Sequence, residues 1–186
     1  MTAAVSTREA FPELDQVSDP VIAEGIDRAW STILQMAGVN SIDQTHLLVP
    51  ELSAEVGIEH QRGTVQLALA IAEILTAVHG VQLNRDHVIA GSLLHDAGKA
   101  VAWRQRGAQD DDGPRHPFYG VHAAMQAGLP EAVAHIVAAH SLEGVYVKKS
   151  VECHVVSASD MLSADALLRK HTGRTVFDYK RAVYLP

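Results

Sequence analysis

The sequence contains one cysteine, Cys153, among its 186 residues. An intramolecular disulfide and a cysteine-rich zinc cluster are therefore excluded, and we expect a reducing compartment, the cytoplasm. No apolar run reaches the roughly 18 to 20 residues that a membrane-spanning helix requires. The N-terminus also has no apolar signal core, so the sequence predicts neither a membrane anchor nor export.

Positive charge and aromatic residues are also scarce. The chain has 15 Lys and Arg against 22 Asp and Glu, which gives a formal net charge of -7. This balance argues against a nucleic-acid scaffold, because broad phosphate neutralisation needs a basic surface. A small anionic ligand is compatible with it if a bound metal supplies the local positive charge. Hydrophobic residues make up 47% of the chain but aromatic ones only 5%, which suits closely packed helices.

Apolar residues recur at helical spacing along most of the chain, and no stretch alternates long enough to predict a strand. We expect helices over residues 20–37, 59–79, 84–94, 117–126 and 130–140 and from 150 onward. Gly38, Asn84 and Ser150 are typical residues for helix ends at these positions. The predicted fold class is therefore all-α, a single compact helical domain of about six or seven helices. Residues 1–18 are predicted to form a flexible or surface-lying arm, and residues 19–186 the domain.

One long polar loop is expected in the middle of the domain, from Arg104 to Arg115. It carries Asp110, Asp111 and Asp112. Loops of this length in compact domains are often lids over functional sites, whereas a run of like charge is typical of a solvated loop. The sequence leaves the role of this loop open.

Histidine is abundant, with 11 in the chain, and several histidines and aspartates lie on inward helix faces or at helix ends. Six of them are candidate metal ligands: His60, His95, Asp96, His116, His140 and Asp160. Adjacent helical side chains diverge by about 100°, so His95 and Asp96 can share an ion only near a helix end, which Gly98 is expected to provide. Asp96 could then contact two ions, because a carboxylate has two oxygens.

These residues occur in an order that resembles the HD-domain superfamily of metal-dependent phosphohydrolases. The resemblance rests on His60, on the run Leu93-Leu94-His95-Asp96-Ala97-Gly98-Lys99, and on Asp160 within residues 157–163. It covers roughly residues 55–170. The additional His116 and His140 are similar to those of members that hold two metals.

The resemblance implies a role for each matching residue. His60, His95, Asp96 and Asp160 would form the primary metal set, and His116 and His140 would complete a second one with Asp96 as the bridge. Lys99 matches a lysine that in many hydrolytic members lies near the metal and contacts a substrate phosphate, so Asp96 and Lys99 are the candidate catalytic residues. Arg62, Arg115 and His122 are further candidates for substrate binding.

The implied activity is that of a phosphohydrolase or phosphodiesterase acting on a small phosphorylated substrate such as a nucleotide, through metal-activated water. One or two divalent ions are expected, and nitrogen and oxygen ligands permit Fe, Mn, Zn, Ni or Co.

Several alternatives stay open. A mixed-valence di-iron oxygenase would use the same ligand set, although residues 52–59 show no clear match to the substrate-contacting residues of such enzymes. A non-catalytic ligand-binding or signalling module is the third reading, and the intact set of six argues against it. Asp165 is a rival to Asp160, which the inward helix face favours. His116 and His140 could instead have structural roles, as a loop histidine and a histidine at a helix end.

Overall fold

Several helices begin or end at residues that the sequence predicts as helix ends. A computed structural model describes residues 4–106 and 114–179. Eight α-helices lie wholly within these residues: α1 (Thr7–Ala10), α2 (Pro20–Ala37), α3 (Ala54–His79), α4 (Arg85–Leu94), α5 (Lys99–Arg106), α6 (His116–Gln126), α7 (Glu131–Ala139) and α8 (Val151–Thr172). No strand occurs in this part of the chain, so the predicted all-α class is confirmed.

Three predicted helix ends are confirmed by their hydrogen bonds or backbone angles. Gly38 closes α2 in the left-handed conformation, with φ of 67°, which a glycine adopts without a steric cost. The Asn84 side chain accepts a hydrogen bond from the backbone N–H of His87 at the start of α4. Ser150 accepts one from the N–H of Cys153 at the start of α8. Local sequence therefore accounts for these boundaries.

Helix α3 begins earlier than predicted, at Ala54 rather than residue 59, and runs through Gly57. A Cβ atom at Gly57 would lie 3.0 Å from the backbone nitrogen of Leu47 and 2.9 Å from the Leu47 Cβ. The lack of a side chain at Gly57 thus allows the segment around Leu47 to lie close to α3, and the helix continues through this residue.

Part of the segment before α2 contributes to the core, which its mixed composition did not indicate. After α1, a 3₁₀ turn covers Pro12–Gln16. Phe11 and Leu14 are buried in the main apolar cluster, and the Phe11 ring lies 5.2 Å from that of Trp30 on α2. Residues 11–14 are therefore packed against the helices.

The central helices bring distant parts of the sequence together. Helix α3 packs along α8 and α4, and α7 packs against both α4 and α6. One apolar cluster joins the N-terminal segment to α2, α4 and α6, and a second lies between α3, α4, α7 and α8. The C-terminal end of α4 is thus surrounded by the helices that carry the other candidate ligands.

Helix α5 is the main element that sequence periodicity missed. It extends to Arg106, so residues 104–106 of the predicted loop are helical. The remainder of that loop up to residue 113, with Asp110, Asp111 and Asp112, lies outside the described residues. None of the described helices is long and apolar enough to cross a membrane.

Candidate metal centre

Four of the six candidate ligands meet where α3, α8 and the turn after α4 come together. His60, His95, Asp96 and Asp160 each place one ligand atom within 4.8 Å of the others. The Nε2 atoms of His60 and His95 lie 3.3 and 3.4 Å from the Asp160 Oδ1 atom, and both lie 3.4 Å from the Asp96 Oδ2 atom. Two imidazole nitrogens and two carboxylate oxygens thus converge on one point.

The other two candidates form a second set with Asp96. His116 at the start of α6 and His140 just after α7 have their Nε2 atoms 3.1 and 3.7 Å from the Asp96 Oδ1 atom. Those two nitrogens are 3.3 Å apart. Asp96 therefore belongs to both sets and directs a different oxygen at each.

The orientation of His95 and His140 has the same local cause. Each follows directly after a helix, and its Nδ1 atom lies 2.7 Å (His95) or 2.8 Å (His140) from the carbonyl oxygen three residues earlier, that of Ser92 or Val137. Since a carbonyl oxygen only accepts, Nδ1 must donate, and in the neutral ring Nε2 is left with a free lone pair. The Nε2 atoms of both rings therefore point into the cluster, where the neutral ring offers a lone pair to a metal.

A long-range contact orients the His60 ring in the same way. Its Nδ1 atom lies 3.1 Å from the Ser163 hydroxyl. That hydroxyl donates its own proton to the His60 carbonyl oxygen, so it accepts from Nδ1, and the Nε2 atom faces the cluster. Ser163 was assigned no role from the sequence; its spacing of three residues from Asp160, which puts both side chains on one face of α8, could have indicated it.

Gly98 brings His116 to the cluster. A Cβ atom at Gly98 would lie 2.0 Å from the His116 carbonyl oxygen, so any larger residue would push the start of α6 away. The helix predicted over residues 84–94 does end at Leu94, four residues before Gly98. The glycine instead permits the close approach that positions His116 beside Asp96.

Lys99 is held at the cluster by two hydrogen bonds. Its Nζ atom donates to the Asp96 Oδ2 atom at 2.5 Å and to the Leu48 carbonyl oxygen at 3.2 Å. The Leu48 contact comes from a distant loop, which the sequence could not indicate. The ammonium therefore has a fixed position next to the shared carboxylate.

The cluster is closed on one side and accessible on another. The side chains of His60, His95, Asp96 and His140 are at most 2% exposed. His116 is 12% exposed, and Asp160 and Lys99 are each 15% exposed. These three residues form the open edge, by which we mean the part of the cluster that solvent reaches.

Each set contains one histidine with a strongly shifted pKa, and the two pKa values shift in opposite directions. Burial opposes protonation of His95, but the negative charges of Asp96 and Asp160 outweigh it and raise the pKa of His95 to about 10. Burial dominates at His116 and lowers its pKa to about 4, although the Asp96 carboxylate acts in the other direction. His116 is therefore neutral at pH 7 in the metal-free protein, and His95 carries a proton.

The carboxylates are ionised in spite of their burial. Burial alone would raise the pKa of Asp96, but the Lys99 ammonium and His95 hold that pKa well below its usual range. At Asp160 burial is outweighed by hydrogen bonds from His60 and His95, which likewise hold the pKa well below its usual range. Both groups thus provide negatively charged oxygens to a cation.

The donor set fits a divalent transition metal. Neutral imidazole nitrogens and carboxylate oxygens are suitable ligands for Zn, Fe, Mn, Co and Ni. Hydrogen bonds at the Nδ1 atoms orient the imidazoles of His60, His95 and His140, as in known metal sites. Each set offers donors of both kinds from separate helices.

The remaining predicted residues lie apart from these two sets. The Arg62 Nε atom donates to the Glu13 carboxylate at 3.0 Å. Arg115 pairs with Glu143 at 2.5 Å, one residue before His116. His122 is on the exposed face of α6. The rival ligand, Asp165, accepts hydrogen bonds from Arg169 and the backbone of Val176.

Comparison with known proteins gives a family and two curated relatives. The family model for the HD domain matches residues 57–165. The chain is 31% identical over 113 residues to the dihydroneopterin 2′,3′-cyclic phosphate phosphodiesterase of Methanocaldococcus jannaschii, which covers 55% of this chain and 44% of the relative. It is 24% identical over 151 residues to ribonuclease Y of Mesoplasma florum, covering 80% of this chain and 28% of the relative.

The chain thus spans less than half the length of either curated relative. No solved structure matches it significantly.

Proposed function

This chain belongs to the HD-domain family, and from that premise we propose that it is a metal-dependent phosphohydrolase. The proposed substrate is a small phosphodiester or other phosphate ester such as a nucleotide. The observation that carries the proposal is the pair of His/Asp sets joined through Asp96, with the Lys99 ammonium fixed beside them.

Each set would hold one divalent ion. His60, His95, Asp96 and Asp160 would bind the first, and Asp96, His116 and His140 the second, so Asp96 would bridge the two. When bound, such ions supply Lewis acidity for a phosphoryl oxygen and make water a stronger acid. Fe, Mn, Zn, Ni and Co all suit this donor set.

Lys99 would bind the substrate phosphate. Its Nζ atom can donate three hydrogen bonds, and Asp96 and the Leu48 carbonyl accept two of them. The third is available to an anionic oxygen that enters by the open edge, where Lys99 is 15% exposed. A preorganised ammonium of this kind stabilises negative charge that develops during phosphoryl transfer.

Arg115 would assist at the rim of the site. It immediately precedes His116, and its guanidinium pairs with Glu143. Its side chain is 43% exposed, so it is accessible to an approaching anion. Arg62 is engaged with Glu13, so we assign it a structural contact and no substrate role.

The names of the curated relatives support a phosphodiester substrate. One relative is named for a cyclic phosphodiester of a small molecule, and the other is named as a ribonuclease. The net charge of -7 favours the small-molecule type, because a long nucleic acid is bound through an extended basic surface.

The proposal is tested by metal analysis combined with turnover. Protein purified without chelator is expected to contain one or two transition-metal ions per chain and to hydrolyse members of a panel of cyclic nucleotides, nucleotides and generic phosphodiesters. Removal of the metal by chelation should abolish turnover, and re-addition should restore it. Absence of hydrolysis with every one of the five metals would refute the proposal.

The same protein sample distinguishes the two alternative functions. A mixed-valence di-iron oxygenase would contain iron in equimolar pairs, show a mixed-valence electron paramagnetic resonance signal and consume O₂. A ligand-binding module would bind metal and nucleotides without turning them over.

A further inference from the structure

Helix α5 presents an aromatic ring next to the ammonium at the metal centre. Lys99 and Trp103 are four residues apart, so their side chains lie on the same face of the helix. The Lys99 Nζ atom is 5.3 Å from the centroid of the Trp103 ring. Because Nζ also contacts Asp96, the indole is placed one side chain away from the cluster.

Trp103 is also accessible, in contrast to the other tryptophan of the chain. Trp30 is fully buried in the apolar core, whereas Trp103 is partly exposed. It lies beside Lys99, one of the three residues of the open edge. An indole in this position has contact surface available to a molecule that enters the site.

We propose that Trp103 is a specificity residue that stacks on a planar ring of the substrate while Lys99 holds the phosphate. The inference rests on the proposed function and narrows its substrate class to phosphate esters that carry an aromatic base. A nucleotide joins a planar base and a phosphate through one sugar, so it presents the two groups that Trp103 and Lys99 each favour. Stacking is tolerant of the identity of the base, since every base has a π-face.

Equilibrium binding to the metal-loaded full chain tests the inference. The probes are adenosine 3′-monophosphate, which has a base, and glycerol 2-phosphate, which has none. Replacing Trp103 by Leu removes the planar ring but keeps an apolar side chain. We expect this variant to bind the adenosine compound about tenfold more weakly, the scale of base–aromatic stacking, and glycerol 2-phosphate with unchanged affinity.

Two further variants separate stacking from a general effect on the fold. Trp103→Phe keeps a planar ring and should recover most of the affinity for adenosine 3′-monophosphate. Phe177→Leu is the matched control, because Phe177 is likewise an accessible aromatic side chain, 65% exposed, and belongs to neither ligand set. It should bind both probes as the wild type does.

Tryptophan fluorescence provides a readout that does not depend on turnover. Stacking of adenosine 3′-monophosphate should quench the emission of Trp103 and leave that of buried Trp30. The nucleotide-dependent quenching should therefore be absent from Trp103→Phe. Equal loss of both probes in Trp103→Leu, failure of the wild type to bind adenosine 3′-monophosphate, or quenching that persists in Trp103→Phe would overturn the inference.

The outcomes separate this inference from the proposed function. Base-selective binding through Trp103 without hydrolysis of any phosphate ester would refute the function and leave the binding role standing. Hydrolysis that is unaffected by Trp103→Leu for substrates with and without a base would refute the role of Trp103 alone.

Discussion

The two ligand sets share one carboxylate but differ in charge. The set around His95 has a second carboxylate, Asp160, whereas the set around His116 has only Asp96. Burial opposes protonation in both sets, yet the pKa of His95 is raised to about 10 and that of His116 is lowered to about 4. At His95 two carboxylates outweigh burial, whereas at His116 burial, together with the positive charges of Lys99 and His140, outweighs the single carboxylate.

This difference predicts a division of roles between the sets. Two carboxylates would neutralise a divalent ion in the first set. In the second set a divalent ion would share the single carboxylate of Asp96 and retain net positive charge. We therefore expect an anionic substrate to approach the second set, next to His116 and Lys99 on the open edge.

Loss of Asp96 should have the largest effect, because it removes one ligand from each set. We expect Asp96→Ala to lose bound metal and at least about 10⁴-fold in turnover, since each ion contributes several kcal/mol to the barrier. Metal content by mass spectrometry and steady-state hydrolysis measure this. Asp165→Ala, which removes a carboxylate outside the cluster, is the control. Wild-type activity and metal content in Asp96→Ala would show that the site is assigned wrongly.

The two sets should respond differently when each loses one histidine. His95→Ala is expected to lose the ion of the first set together with all measurable activity. His116→Ala should keep that ion, lose the second, and retain activity reduced by about 10² to 10³. Metal stoichiometry of the two variants distinguishes these outcomes. If both variants lose metal equally, the two sets do not bind independently.

A smaller effect is expected from the hydroxyl that orients His60. Ser163→Ala removes the partner of the His60 Nδ1 atom, and a lost contact of this kind typically costs about 10- to 100-fold in metal affinity or activity. Competition with a chelator measures the affinity. Ser159→Ala is the matched control, because the Ser159 hydroxyl is buried on the same helix and has no hydrogen-bond partner among the described residues. Equal effects of both variants would exclude the orienting role.

The smallest effects concern the pH dependence of stability in the metal-free protein. The folded-state pKa of His95 is raised from 6.5 to about 10, so its contribution to stability is present below pH 6.5 and is lost as the pH rises to about 10. The pKa of His116 is lowered from 6.5 to about 4, so its contribution is present above pH 6.5 and is lost as the pH falls to about 4. Asp96 and Asp160 add to the loss in acid.

Urea unfolding between pH 4 and 10 tests whether stability falls at high pH because of His95 and at low pH because of His116. His95→Gln should flatten the alkaline decline in the free energy of unfolding and leave the acid side largely unchanged. His116→Gln should flatten the acid decline instead. An alkaline slope that is unchanged in His95→Gln would contradict the raised pKa.

Sequence reasoning succeeded best where structure is local. The apolar periodicity predicted helices that the structure contains, and Asn84 and Ser150 cap them as expected. It missed α5, whose short segment has no clear apolar stripe, and the burial of Phe11 and Leu14. Phe11 and Leu14 stand in a largely polar segment, so their burial depends on the other helices that form the core around them.

The candidate site also contains contacts that the local sequence could not predict. Arg62 was a candidate for substrate binding as a cation that could offset the charge of a phosphate. In the structure Arg62 pairs with Glu13, 49 residues away. No pattern around Arg62 could indicate that partner.

By itself, the sequence determined the chemical type of the ligands and their local presentation. His95 and His140 follow helix ends, where each ring donates to a carbonyl three residues earlier, and this geometry needs only the local backbone. The tertiary structure alone decided that the two oxygens of Asp96 face different pairs of histidines, that Ser163 orients His60, and that Leu48 and Asp96 hold Lys99 beside Trp103. The physical reason is that hydrogen bonds within one helix end depend on neighbouring residues, whereas the charge balance of a buried cluster depends on which helices pack around it.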